Sequence, residues 1–123
     1  MFILKKEAIN FLNRYFKLPV SGDEQDWDIE LADSDRVEEF LDAYDYDFSD
    51  DVKPALMALI FASYDDYIGE HKRDISIEAK IKTIVDLDRN LFTGLLKYWA
   101  VEGKEDIKKC FKVAAFARDI LYQ

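Results

Sequence analysis

Near the start of the chain, Phe2, Ile9, Leu12 and Phe16 recur at helical spacing, with Leu4, Phe11 and Tyr15 beside them. This wide apolar face predicts a first helix from about Ile3 to Lys17, stopped by Pro19. The polar run that follows, from Val20 to Asp26, reads as a loop. Trp27, Ile29 and Leu31 then alternate with Asp28 and Glu30. A period of two fits a short strand or an extended loop pinned by three apolar side chains, and we read it as the loop.

Asp33, Ser34 or Asp35 can cap a second helix carrying Val37, Phe40, Leu41 and Tyr44, with Glu38 and Glu39 in its first turns. Ser49 or Asp50 can cap a third, with Pro54 in the first turn, where a missing N–H costs little. Leu56 to Ile68 is apolar nearly all round, which predicts a central buried helix ending near Gly69. A further helix can start at Asp74 or Ser76. Ile77, Ile81, Ile84 and Val85 form one stripe, and Leu91, Phe92, Leu95, Leu96 and Trp99 form another. The phase changes at Asp86-Leu87-Asp88, so a kink or a break is predicted there. After Gly103, Lys104 to about Leu121 reads as the last helix. Glu105 and Asp106 sit in its first turn, Ile107, Phe111, Ala114 and Leu121 face inward, and Lys108, Lys109 and Lys112 face outward. The pattern therefore predicts an all-α fold. It is a compact bundle of five or six helices, with a long acidic loop between the first two, in one domain spanning residues 1–123.

Composition makes such a core affordable in size: half of the 123 residues are hydrophobic and 15% are aromatic. Cys110 is the single cysteine, so no internal disulfide can form, which suits a reducing compartment. The apolar start Met1-Phe2-Ile3-Leu4 is broken by Lys5-Lys6-Glu7 before a secretory signal could form. No apolar stretch is long enough to span a bilayer, and a cytoplasmic protein is expected.

Charge changes the picture most. The formal net charge is −9. From Asp23 to Asp51 there are 14 acids and one base, Arg36, a net of −13, while the rest of the chain nets +4. A chain so polarised repels nucleic acid and anionic lipid and attracts a basic partner. Charge runs are commonly solvated faces, but this one also holds Trp27, Tyr44, Tyr46 and Phe48, unlike disordered acidic tails.

Catalytic and cofactor chemistry finds little support. His71 and Cys110 are too few for a zinc site, and each has a plain reading: a solvated loop residue and a small buried hydrophobe. Asp86, Asp88 and Asn90 open like a calcium loop, but Leu91 and Lys97 stand where Gly and Glu belong; Asp45-x-Asp47-x-Ser49 fails likewise at Asp50 and Leu56. The glycines at 22, 69, 94 and 103 are scattered, so no phosphate loop exists. Lys104, Lys108, Lys109, Lys112 and Arg118 could form a basic strip, which gives nucleic-acid binding a little local support, but lysines on an amphipathic surface helix are more often just solvated. The expectation is a non-enzyme with no cofactor, no metal, no nucleic acid and no membrane.

What remains is an acidic, tyrosine-containing surface. We select Asp42, Tyr44, Asp45, Tyr46, Asp47, Asp50 and Asp51, together with Tyr64, Asp65, Asp66 and Tyr67, as candidate partner-binding residues. Tyrosines give large contact area at low entropic cost, and carboxylates pair with Lys and Arg. For a single tyrosine such as Tyr44, Tyr64 or Tyr67, a place at the core edge is the simpler reading.

In this general character the chain resembles bacterial immunity proteins, the small acidic proteins that neutralise a toxin made by the same or a neighbouring cell. It is similar in manner to those of contact-dependent growth inhibition and other polymorphic toxin systems. The Tyr64-Asp65-Asp66-Tyr67 cluster, with the acids from Asp42 to Asp51, resembles the acidic helix–tyrosine surface of helical colicin immunity proteins. The resemblance implies a cognate toxin partner, basic and nuclease-type, bound stoichiometrically. The alternative is a non-catalytic helical adaptor or regulatory module, which exposed apolar positions on the third helix would favour.

Overall fold

The computed structural model describes residues 4–101 and 111–123. Seven helices and one 3-10 turn are found among them, and no strand. The helices are α1 (Lys6–Tyr15), α2 (Trp27–Glu30), α3 (Val37–Asp42), α4 (Val52–Glu70), α5 (Ile75–Leu87), α6 (Arg89–Ala100) and α7 (Ala114–Leu121). The 3-10 turn, Ser34–Arg36, runs directly into α3.

The apolar run from Leu56 places α4 at the centre, as its all-round pattern requires. Residues 55–64 are all buried, and α1, α2, α3 and α6 pack around the helix. Phe61 stacks between Trp99 of α6 and Phe116 of α7, at ring distances of 6.3 and 6.1 Å. The phase change at residues 86–88 is a true break: α5 ends at Leu87 and α6 begins at Arg89. Asp74 caps α5, accepting from the Ser76 and Ile77 N–H groups at 2.9 and 3.2 Å. The N-cap of α4 is Asp51, not the expected Ser49 or Asp50, and its side chain makes no capping bond; the Ser49 hydroxyl accepts from the Val52 N–H at 3.2 Å as the chain enters the helix.

Three boundaries differ from the sequence pattern. Helix α1 begins at Lys6 rather than Ile3, and residues 1–3 lie outside the described residues. It closes in a Schellman motif. The Leu18 N–H donates to the Asn13 carbonyl and the Lys17 N–H to that of Arg14, with Lys17 left-handed at φ 52°.

The extended loop predicted at Trp27 is instead a short helix. Its contacts follow i, i+4: Trp27 and Leu31 are buried, whereas Ile29 is exposed. The Trp27 indole N–H donates to Asn13 Oδ1 at 2.7 Å, so this segment is packed against α1. The long acidic connection between the two predicted helices is thereby divided by an ordered helical turn.

The last helix begins at Ala114, because residues 111–113 are not helical. Its predicted first part, from Lys104 through Cys110, lies outside the described residues.

Arg36, the one base in the acidic segment, acts as a clamp. Its guanidinium donates to the Phe16 carbonyl at 2.9 Å and pairs with Glu39, with the Phe40 ring centroid at 5.1 Å. The Asp33 N–H donates to the buried Ser63 hydroxyl of α4 at 3.0 Å. The acidic segment is thus tied to the core at both ends of the 3-10 turn.

Candidate functional site

The exposed acids gather where α3 ends and the chain crosses to α4. Asp42, Asp45, Tyr46, Asp47, Asp50 and Asp51 are all exposed. Asp45 folds the link back on itself by accepting from the Asp47 N–H at 2.8 Å. Phe48 anchors it, its ring 5.7 Å from those of Phe11 and Tyr15 on α1. The carboxylates around this anchor point to water. No ion pair among the described residues involves Asp42, Asp45, Asp47, Asp50 or Asp51.

Between this link and α5 lies a cleft of about 350 Å³. Tyr44 and Tyr46 form one wall, their rings edge to face at 5.3 Å, and Lys80, Thr83 and Ile84 of α5 form the other. Tyr46 is 48% exposed, while the Tyr44 hydroxyl is buried. That hydroxyl makes no hydrogen bond of standard geometry among the described residues. Burial first, and then the nearby charge of Asp88, push the Tyr44 pKa up. Asp88 itself is held by the buried Lys53 at 3.2 Å.

The α5 wall was not selected from the sequence. Lys80, Thr83 and Ile84 share a face at i, i+3 and i+4, the only signal that places them together. Lys80 also adds a base to a surface that looked purely acidic. Its ammonium bonds Glu38 at 2.6 Å, and that bond, followed by the charges of Glu38, Asp42 and Asp74, raises its pKa.

The second predicted cluster is a different place with different roles. Tyr64 lies twelve residues beyond Val52 on α4, a rise of about 18 Å along the axis. It is fully buried, which corrects its selection as a contact residue. Its hydroxyl donates to Glu78 at 2.6 Å and accepts from the Asp74 N–H at 2.8 Å. Burial next to the core, then the Glu78 bond, raise its pKa.

Asp65 is turned to structure as well: it accepts from the Val113 N–H at 2.9 Å, just before α7 begins. Tyr67 is half-buried, with its ring 4.7 Å from that of His71 and its hydroxyl donating to Asp74. Asp66 alone of the four is exposed; partial desolvation, then the charges of Asp65 and Glu70, push its pKa up.

Among the described residues, no group of three His, Cys, Asp or Glu side chains converges as a metal site. None of the described helices is long and apolar enough to cross a membrane. Asp86 of the calcium-like triplet is bonded to Lys82 and Arg89. No protein-family model matches this chain, and neither a curated protein nor a solved structure matches it.

Proposed function

We propose that this protein is a non-catalytic inhibitor that binds a cognate basic toxin domain, nuclease-type by the resemblance above, through the exposed link from Asp42 to Asp51. The observation that carries the reading is that the five carboxylates around the exposed Tyr46 are exposed and make no ion pair among the described residues. Several of the chain's other acids serve as caps or ion-pair partners, whereas these five make no ion pair among the described residues, Lys80 near Asp42 being bonded to Glu38, and they are free to meet a partner's base. Opposite charges on a partner speed encounter, and Tyr46 supplies amphipathic contact area. The carboxylates take the positions that substrate phosphates occupy on such a toxin, so inhibition is stoichiometric and occurs in the cytoplasm.

The adaptor reading calls for exposed apolar positions on α4, and residues 55–64 of that helix are buried. Asp66 at the far end of α4 remains available as a peripheral contact.

The test is capture from native cells with the tagged chain, at low and then high salt. The expected result is one basic protein at equal stoichiometry, whose nuclease activity falls linearly to zero as the chain is added. The substitution set Asp45→Lys, Asp47→Lys and Asp50→Lys should slow association by about tenfold or more. Unchanged association kinetics in that variant would remove this link as the binding surface.

A further inference from the structure

A second cleft, of about 420 Å³, shares no lining residue with the first. Leu4 and Ile9 give it an apolar wall, and Trp27 and Tyr98 give it aromatic ones. Both rings have neighbours that hold them. The Trp27 N–H is bonded to Asn13, and the Tyr98 ring rests 5.4 Å from Trp99 and 5.5 Å from Phe111.

Three acids line the same cleft, and they differ in state. Glu24 is already engaged, accepting from the Ser21 N–H and hydroxyl at 2.9 and 2.6 Å. Asp26 is exposed. Asp28 is only 8% exposed, and no ion pair among the described residues involves it. Burial pushes its carboxyl pKa up; the main-chain N–H groups of Ile29 and Asp28 offset this only in part, and the Asp26 charge adds to it. The Tyr98 phenol is pushed up by burial and then by the charges of Asp28 and Asp26, so both carboxylates act on the ring that walls the cleft.

A buried carboxylate without a counter-charge is costly, and Asp28, with none among the described residues, sits in a preformed pocket with apolar and aromatic walls. That combination is complementary to a cation on an aliphatic stem. The stem lies on the apolar walls, the head is attracted by the aromatic rings, and the charge is met by Asp28. We propose that this pocket binds the ammonium or guanidinium end of an aliphatic chain, paired with Asp28. A metal ion is not the occupant implied, since the three carboxylates do not converge as a ligand set. The proposal stands apart from the inhibitor reading, because none of its residues belongs to the link from Asp42 to Asp51.

The test follows the Trp27 indole N–H of the full chain by heteronuclear NMR. Agmatine and cadaverine serve as free amines, a capped Ala-Arg-Ala peptide as a displayed side chain, and pentanol and sodium chloride as controls. The expected result is a saturable shift at Trp27 with the cations and not with the controls, with the wild-type Asp28 carboxyl pKa falling on saturation. Asp28→Asn should weaken binding about tenfold or more without lowering the melting temperature of the free chain. Saturation by the free amines alone identifies a soluble amine; saturation by the peptide identifies a side chain of another protein. No saturable shift with any cation up to about 10 mM, or an Asp28 pKa unmoved by the cation, would overturn the proposal.

Discussion

Replacing Tyr64 by Phe removes one oxygen from the core and two hydrogen bonds with it. The hydroxyl donates to a carboxylate, Glu78, and accepts from the Asp74 N–H that opens α5. A bond to a charged group contributes about 1.5–3 kcal/mol, and a buried N–H left without a partner costs about 1–3 kcal/mol. The two share one oxygen and overlap, so a loss of about 2–4 kcal/mol is expected. At this chain length it lowers the melting temperature by roughly 10 °C. Urea unfolding at unchanged slope measures it directly.

The loss should also depend on pH. Burial pushes the Glu78 carboxyl up, but its bonds from Arg73 and Tyr64 outweigh this and hold it below the ordinary value. A depressed carboxyl stabilises the fold above its unfolded pKa, and that contribution is lost as pH falls through the folded value. Tyr64→Phe weakens the depression, so the gap between wild type and variant narrows below about pH 4. A loss under about 0.5 kcal/mol near neutral pH would refute the placement of Tyr64 in this network.

Two further substitutions probe the frame around the site. Lys17→Gly should stabilise the chain by about 0.5–1 kcal/mol, because Lys17 sits left-handed at the close of α1 with its side chain exposed. No gain in the denaturation midpoint would mean the α1 terminus is built differently. Asp65→Ala should cost about 1 kcal/mol through the lost bond to the Val113 N–H and should raise hydrogen exchange at the start of α7. It should leave association with a basic partner unaltered, and an association rate that falls with the charge of Asp65 would return the second cluster to the binding surface.

The all-helical fold was legible because its evidence is local. Leu56 to Ile68 is apolar nearly all round, which predicts a central helix, and the phase change near Asp88 is visible as a shift in spacing. Trp27 misled for a physical reason. Alternation over five residues fits a period of two as well as one turn of helix, and the deciding contact is the bond to Asn13, fourteen residues away. The non-helical stretch at residues 111–113 was hidden because Phe111, Ala114 and Leu121 keep an apolar spacing across the interruption. Lys80 was missed at the cleft because its position depends on how α5 lies beside α3.

The acids teach the same lesson more sharply. Asp28, Asp33, Asp47 and Asp65 are the same residue type in similar acid-rich surroundings, and no spacing rule separates them. What separates them is the nearest donor. Asp33 is bonded to the Asp35 N–H and Asp65 to that of Val113, so each stabilises a turn or a helix start. Asp47 faces water and can exchange solvent for a partner's base. Asp28 is buried and has no ion pair among the described residues, so its charge burdens the free chain, and the cation proposed above would relieve it. Removing charge therefore has opposite signs along one segment. It destabilises where the carboxylate is bonded, is close to neutral where it is solvated, and stabilises the free chain at Asp28, where binding is what its loss would impair.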